Sequence, residues 1–332
     1  MATQDISSKV MLYHNDVFSD IINSLLFGKH YIDENKLKDV IPESAYEDYD
    51  GNLRSMERDL LKEYGEGDGT NYFAIAEFGI GNQTTIDPTM PVRVMGYDYT
   101  VYKRQLDEYN SKKRDLYRLL KTAQELHNDD ITAQVQADIE KLGDFKLVPV
   151  VTIILNFSKT KWSKAKSLKE LVPTSHSEKG FDITEITALM QDYQVKIFDV
   201  LYLDETTRNR FTTDFRDVVT VLAEGAIDKS HDFQRLKYPV DALDMLYAYT
   251  KDEHYLNIRN QIVKKEQEGE VIKMGDFFDQ VERNKIIDTA RKVYQKGKNT
   301  ENVVAIIECG LDISNAEAQE IFETEVLGVA SA

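Results

Sequence analysis

The run Leu147–Phe157, LVPVVTIILNF, constrains this chain more than any other stretch. At about 11 residues it falls well short of the ~20 that a membrane span requires. It reads instead as a short strand that is apolar throughout, the kind covered on both faces inside an α/β sheet. The chain must therefore supply helices and partner strands around it.

Those neighbours are legible on either side. Between Asp16 and Phe27 the residues Val17, Phe18, Ile21, Ile22, Leu25 and Leu26 recur in pairs every four positions, which predicts a helix with one buried face. Asp16, Asp20 and Asn23 project from another side of it, where an N-cap and a solvated face are the plain reading. The segment Arg58–Tyr64 and the run NYFAIAEFGIGNQ flank the glycine-rich link GEGDG, which predicts a β-hairpin. That link is a poor phosphate cradle, because no helix follows it and Glu66 and Asp68 would repel an anion. Pro91 to about His127 reads as helix, and a polar insertion runs on to Gly143. Gln194–Leu203 supplies another strand, and a helix starts at about Glu205. This order describes an α/β fold with a central mixed sheet. Beyond Gly225 only helical periods remain, in DALDMLYAYT, KMGDFFDQVERNKIIDTARKVYQKG and NVVAIIECG, and Ser314 with Glu317 forms a capping box. The expected division is a domain over residues 1–225, with a helical insertion at about 106–146, and a helical region over 226–332.

Several chemistries are excluded by what the chain lacks. Its single cysteine, Cys309, rules out an intrachain disulfide framework and any cysteine-based cluster. The six histidines are scattered, without a ligand pair, and no G-x-S-x-G is present. The amino-terminal MATQDISSKV lacks the apolar core of a signal peptide, so a cytoplasmic protein without membrane contact is expected. The 332 residues include 41 basic and 58 acidic side chains, a net charge of −17. Most of such a surface repels phosphate, so any contact with nucleic acid must be local.

Carboxylates remain. Asp59 lies in the first predicted hairpin strand, and Gln83 lies near the end of the second. Adjacent strands can converge such groups at one end of a sheet, where a hard cation takes oxygen ligands. The runs NDVFSDIINSLLF, MERDLLKEY, GIGNQTTIDPTMPVRVMGYD, VPVVTIILNF, KWSKAKSLKEL and YQVKIFDVLYL resemble, in order, the recombination-promoting nuclease and transposase family. The resemblance spans about residues 13–223. It implies a PD-(D/E)xK, restriction-endonuclease-like core and a metal-dependent DNA endonuclease. In that family the acid matching Asp59 and a second acid two positions before the residue matching Gln83 hold Mg²⁺ or Mn²⁺; here the expected remaining ligands are Asp59 and the backbone carbonyl of Asn82. An acid of the first helix, matching Asp16 or Asp20, often completes the site. The metal lowers the pKa of a water and neutralises charge on the scissile phosphate. Gln83 stands where many relatives carry lysine, so it orients but supplies no charge.

One departure outweighs the agreements. The family's string reads G-I-E-N-Q-T, whereas this chain has Gly79-Ile80-Gly81-Asn82-Gln83-Thr84, so the second metal carboxylate is missing at Gly81. Glu77 shares that strand face but, at ~3.3 Å per residue, lies about 13 Å away and is no direct substitute. Asp87 falls beyond the strand's expected end.

For DNA contact, Lys159, Lys161, Lys164, Lys166 and Lys169 cluster around Trp162 with no acid between them. Such a cluster neutralises several phosphates locally, although lysine runs also serve as plain solvated loops. Arg93, close to Tyr97 and Asp98, reads equally as a phosphate contact or a buried ion pair. Two functions are therefore expected: a Mg²⁺- or Mn²⁺-dependent endonuclease acting on double-stranded DNA and impaired by Gly81, or a catalytically inactive DNA- or protein-binding member of the same fold. In the second, the helical tail serves protein contacts or a homo-oligomer.

Overall fold

The amphipathic run after His14 folds as helix α1 (Asn15–Ile22), which buries Val17, Phe18, Ile21 and Ile22 and ends in a wider π turn over Asn23–Phe27. The computed structural model of the chain describes residues 9–40, 45–47, 53–55, 59–67, 72–173, 175–176, 181–225, 236–268, 274–297 and 299–328. Contacts divide the chain into two units, Leu12–Arg210 and Phe211–Ala332 together with Met1–Met11.

The first unit is α/β. Its 5-stranded sheet follows chain order: β1 (Leu37–Asp39), β2 (Leu60–Glu66), β3 (Phe73–Gln83), β4 (Val150–Asn156) and β5 (Lys196–Asp199). The first three strands pair antiparallel, and β3, β4 and β5 run parallel. Parallel neighbours require crossovers, and the one from β3 to β4 is a helical hairpin: α2 (Met90–Glu125), 36 residues and about 54 Å long, then α3 (Asp129–Leu142), capped by the Asn128 side chain. The polar insertion is thus a second helix, whose fully buried residue is Val135.

Helices cover both faces of the sheet, as the apolar strand β4 demands. On one face Met90, Val94 and Tyr97 of α2 pack with Ile154, Trp162 and Val195, and Val101 packs with Leu61 and Val150. On the other face lies α1, whose Asn15 accepts a 2.7 Å hydrogen bond from the ammonium of Lys62. Lys62 is only 1% exposed; it also pairs with Asp39 of β1 and lies 4.5 Å from the Tyr13 ring centre. A buried ammonium is tolerated because carboxylate, amide and ring face replace its water.

Two expectations are corrected. Asp20 and Asn23 are not on a solvated face; they are 7% and 5% exposed. The strand expected over Gln194–Leu203 is limited to β5 and followed by a 3₁₀ turn, Val200–Tyr202.

The second unit is helical: α4 (Phe215–Glu224), α5 (Pro239–Thr250), α6 (Glu253–Glu268), α7 (Met274–Gly297), α8 (Thr300–Leu311) and α9 (Asn315–Ile321). Ala290 of α7 joins Val303, Val304, Ile307, Ala318 and Phe322 in one core, and the Ser314–Glu317 capping box opens α9. Among the described residues no helix is long and apolar enough to cross a membrane.

Candidate functional site

Register brings the two hairpin residues together. Leu60 pairs with Ile80, so the next rung sets Asp59 opposite Gly81. The Asp59 carboxylate accepts the backbone N–H of Asn82, closing the ladder where β2 begins. Gln83, two residues beyond Gly81 and on the same strand face, turns its amide back to donate 2.7 Å to the Asn82 carbonyl. The side-chain amide of Asn82 has both polar atoms enclosed, without a hydrogen-bond partner among the described residues.

Gly81 is tightly enclosed. A Cβ there would lie 2.9 Å from Cδ1 of Ile154, its neighbour across the β3–β4 ladder. The other acids are committed elsewhere. Asp16 accepts the Val17 N–H at 3.0 Å in the first turn of α1, and Asp20 accepts from the Ser24 hydroxyl at 3.4 Å. Glu77, 1% exposed, binds Arg104 at 2.5 Å and Gln105 at 3.0 Å on α2. Asp87 accepts from Thr89 and, at 2.7 Å, from Arg93. Burial would raise the Asp87 pKa, but these hydrogen bonds outweigh it and hold the carboxyl below its usual range. Arg93 is therefore an ion-paired residue, and its second nitrogen donates 2.7 Å to the Tyr97 hydroxyl.

Mg²⁺ or Mn²⁺ would need several oxygens converging at about 2.1 Å, with carboxylates among them. Among the described residues no group of three or more histidine, cysteine, aspartate or glutamate side chains has that arrangement. As placed, Asp59 serves a backbone N–H, the Asn82 carbonyl serves Gln83, and Asp16 and Asp20 serve α1. These residues do not fit the cation.

The lysine cluster starts at the same end of the sheet and runs back along β5, where Ser167 bridges to Gln194. Gln83 is level with Asn156 at the end of β4, and Asn156 is level with Asp199 at the end of β5. From there the chain runs through the lysines, and it is pinned. Asp199 accepts from the Asn156 amide at 2.7 Å and from the Trp162 N–H at 2.8 Å. The Trp162 ring is buried against Ile154, the Tyr202 hydroxyl donates to the Lys159 carbonyl, and the Lys166 carbonyl receives the Val195 N–H at 2.8 Å. Lys159, Lys161, Lys164 and Lys166 are exposed on this loop, and none has an ion-pair partner among the described residues. Lys161 lies 5.1 Å from the Tyr202 ring centre. Lys169, half-buried, bonds the Ala188 carbonyl at 3.5 Å.

Sequence reasoning missed Asp199 and Asn156, the groups that hold this loop. Each closes a strand with a polar residue after an apolar run, a weak signal that acquires meaning only once β4 and β5 are paired. No family model, no curated protein and no solved structure matches the chain.

Proposed function

We propose that this protein binds double-stranded DNA through the loop Lys159–Lys166, on a PD-(D/E)xK, restriction-endonuclease-like scaffold whose hydrolytic centre is disabled. The observation that carries this reading is four ammonium groups, without an ion-pair partner among the described residues, on a pinned loop that leaves the sheet at the end where Asp59 and Gln83 lie. Ligands of open α/β sheets bind beyond the carboxyl ends of the parallel strands, where the loop begins at Lys159–Trp162 before running back to the start of β5. Phosphates supply the negative charge that these lysines lack among the described residues, and a fixed loop loses little entropy on binding. The disabled centre follows from the unfit donor set around Gly81.

The test is retention of a labelled 20-base-pair duplex during a salt titration, alongside plasmid nicking with Mg²⁺, Mn²⁺ or chelator. Wild type should hold the duplex with a steep salt dependence. Each lysine-to-alanine substitution should reduce the slope of log affinity against log salt by about 0.9. Wild type should nick little, and Gly81→Glu combined with Ile154→Val, which clears space for the side chain, should raise metal-dependent nicking. Failure to retain duplex overturns the binding proposal, and robust cleavage by wild type overturns the disabled centre.

A further inference from the structure

The loop Phe27–Tyr31 displays a feature that the lysine loop does not use. Gly28, with φ of 64°, ends the π turn after α1 in the left-handed conformation and reverses the chain. Buried Asn23 then fixes the return: its carbonyl oxygen accepts the N–H groups of Tyr31 at 2.8 Å and Ile32 at 2.7 Å, and its amide donates 2.9 Å to the Ile32 carbonyl. This clamp holds two aromatic rings outward. Phe27 is 37% exposed and Tyr31 58%, with ring centres 4.6 Å apart and planes 30° from parallel.

Phe27 leans edge-on against the buried Phe78, ring centres 6.4 Å apart, while Tyr31 lies over Phe27 and keeps most of its own ring in solvent. Cations surround them. The Lys29 ammonium is 6.0 Å from the Tyr31 ring centre, and the Arg210 guanidinium lies along Gly28, 3.5 Å from where a Cβ would stand. Neither makes a close ion pair among the described residues, although Arg210 acts electrostatically on the Asp204 carboxylate. Of the acids that follow, Asp33 accepts from the backbone and side chain of Asn35, capping the next turn.

We propose that Phe27 and Tyr31 form a stacking site for an unpaired base of single-stranded nucleic acid, with Lys29 and Arg210 taking the flanking phosphates. An aromatic face flanked by cations matches a nucleotide in both its parts, and base stacking tolerates any sequence. Nucleic acid as the ligand class rests on the reading above, but the site and its surface are separate from the lysine loop.

The test measures anisotropy of a labelled 12-nucleotide single strand and of the 20-base-pair duplex. It compares wild type, the Phe27→Leu/Tyr31→Leu pair, the Lys29→Ala/Arg210→Ala pair and the Lys161→Ala/Lys164→Ala pair, with circular dichroism confirming the fold of each. The leucine pair should weaken single-strand binding by about tenfold or more, as loss of a stacked base implies, and leave duplex binding within about twofold. The Lys29/Arg210 pair should lower the single-strand salt slope by about 1.4. Single-strand affinity unchanged in the leucine pair, or no single-strand binding by wild type, overturns the stacking site. Single-strand binding without duplex retention leaves it standing and removes the lysine-loop reading instead.

Discussion

Asp59 has a structural duty that its place in the hairpin does not reveal. Its carboxylate satisfies the Asn82 N–H, so removing it strands a main-chain donor at a partly closed strand end. A charge-assisted bond of this kind contributes about 1–3 kcal/mol. Asp59→Ala should lower the urea midpoint accordingly, and an unchanged midpoint would show that water replaces the carboxylate at no cost. A second carboxyl acts in the opposite sense. Burial, aided by the nearby Asp214 carboxylate and opposed by Arg216, pushes the Asp217 pKa up to about 6. The folded state then holds a proton that the unfolded chain, titrating near 4, has released. Stability is greatest below about pH 4 and falls as pH rises through about 6. Asp217→Asn should match wild type near pH 4 and exceed it by about 2 kcal/mol at pH 8. Denaturant melts across that range decide the matter, and parallel pH profiles would refute it. Residue spacing placed Asp59 and Gln83 at one strand end, but not which main-chain groups they serve, because those bonds depend on rotamers and register.

A side chain at Gly81 of β3 would press on Cδ1 of Ile154 in β4. With Ile154 fully buried among Met90, Val94, Tyr97 and Trp162, the clash at its Cδ1 cannot be relieved cheaply. Gly81→Ala should cost about 1–3 kcal/mol through overpacking. Ile154→Val deletes the offending methyl, so the double variant should be more stable than the sum of the single effects by at least about 0.5 kcal/mol. Thermal melts of the four proteins complete the cycle, and strict additivity would show that the contact is not felt. At this scale the sequence was most legible where its period was long or its run unbroken, as in α1, α2 and β4. It was least legible in α3, whose exposure leaves few apolar positions to mark a period, and in β5, four residues long and only half-buried. Short elements of that kind are defined by their neighbours rather than by their own composition.

Across the whole molecule the disappearance of strand patterns set the expected boundary at residue 225, whereas the contacts group Phe211 and everything after it together. The position of the sheet's ends was not legible, since strand order follows from pairing between distant segments. The unpaired lysines stand against an overall charge of −17, and the two fields have different reach. Ions confine every interaction to about 8 Å at physiological strength, whereas near 0.01 M the reach extends to about 30 Å. In dilute buffer a polyanion therefore senses the acidic bulk before the loop, while in concentrated salt even the loop's attraction is quenched. Retention of a duplex should fall steeply with salt at physiological strength and above, where the slope is read, and decline again only on dilution far below it; a monotonic rise on dilution would show that the loop's attraction outweighs the bulk at every distance. On the binding proposed above, the surface would be an electrical patchwork, open to a strongly charged partner only at its few cationic patches and closed to it over the acidic remainder.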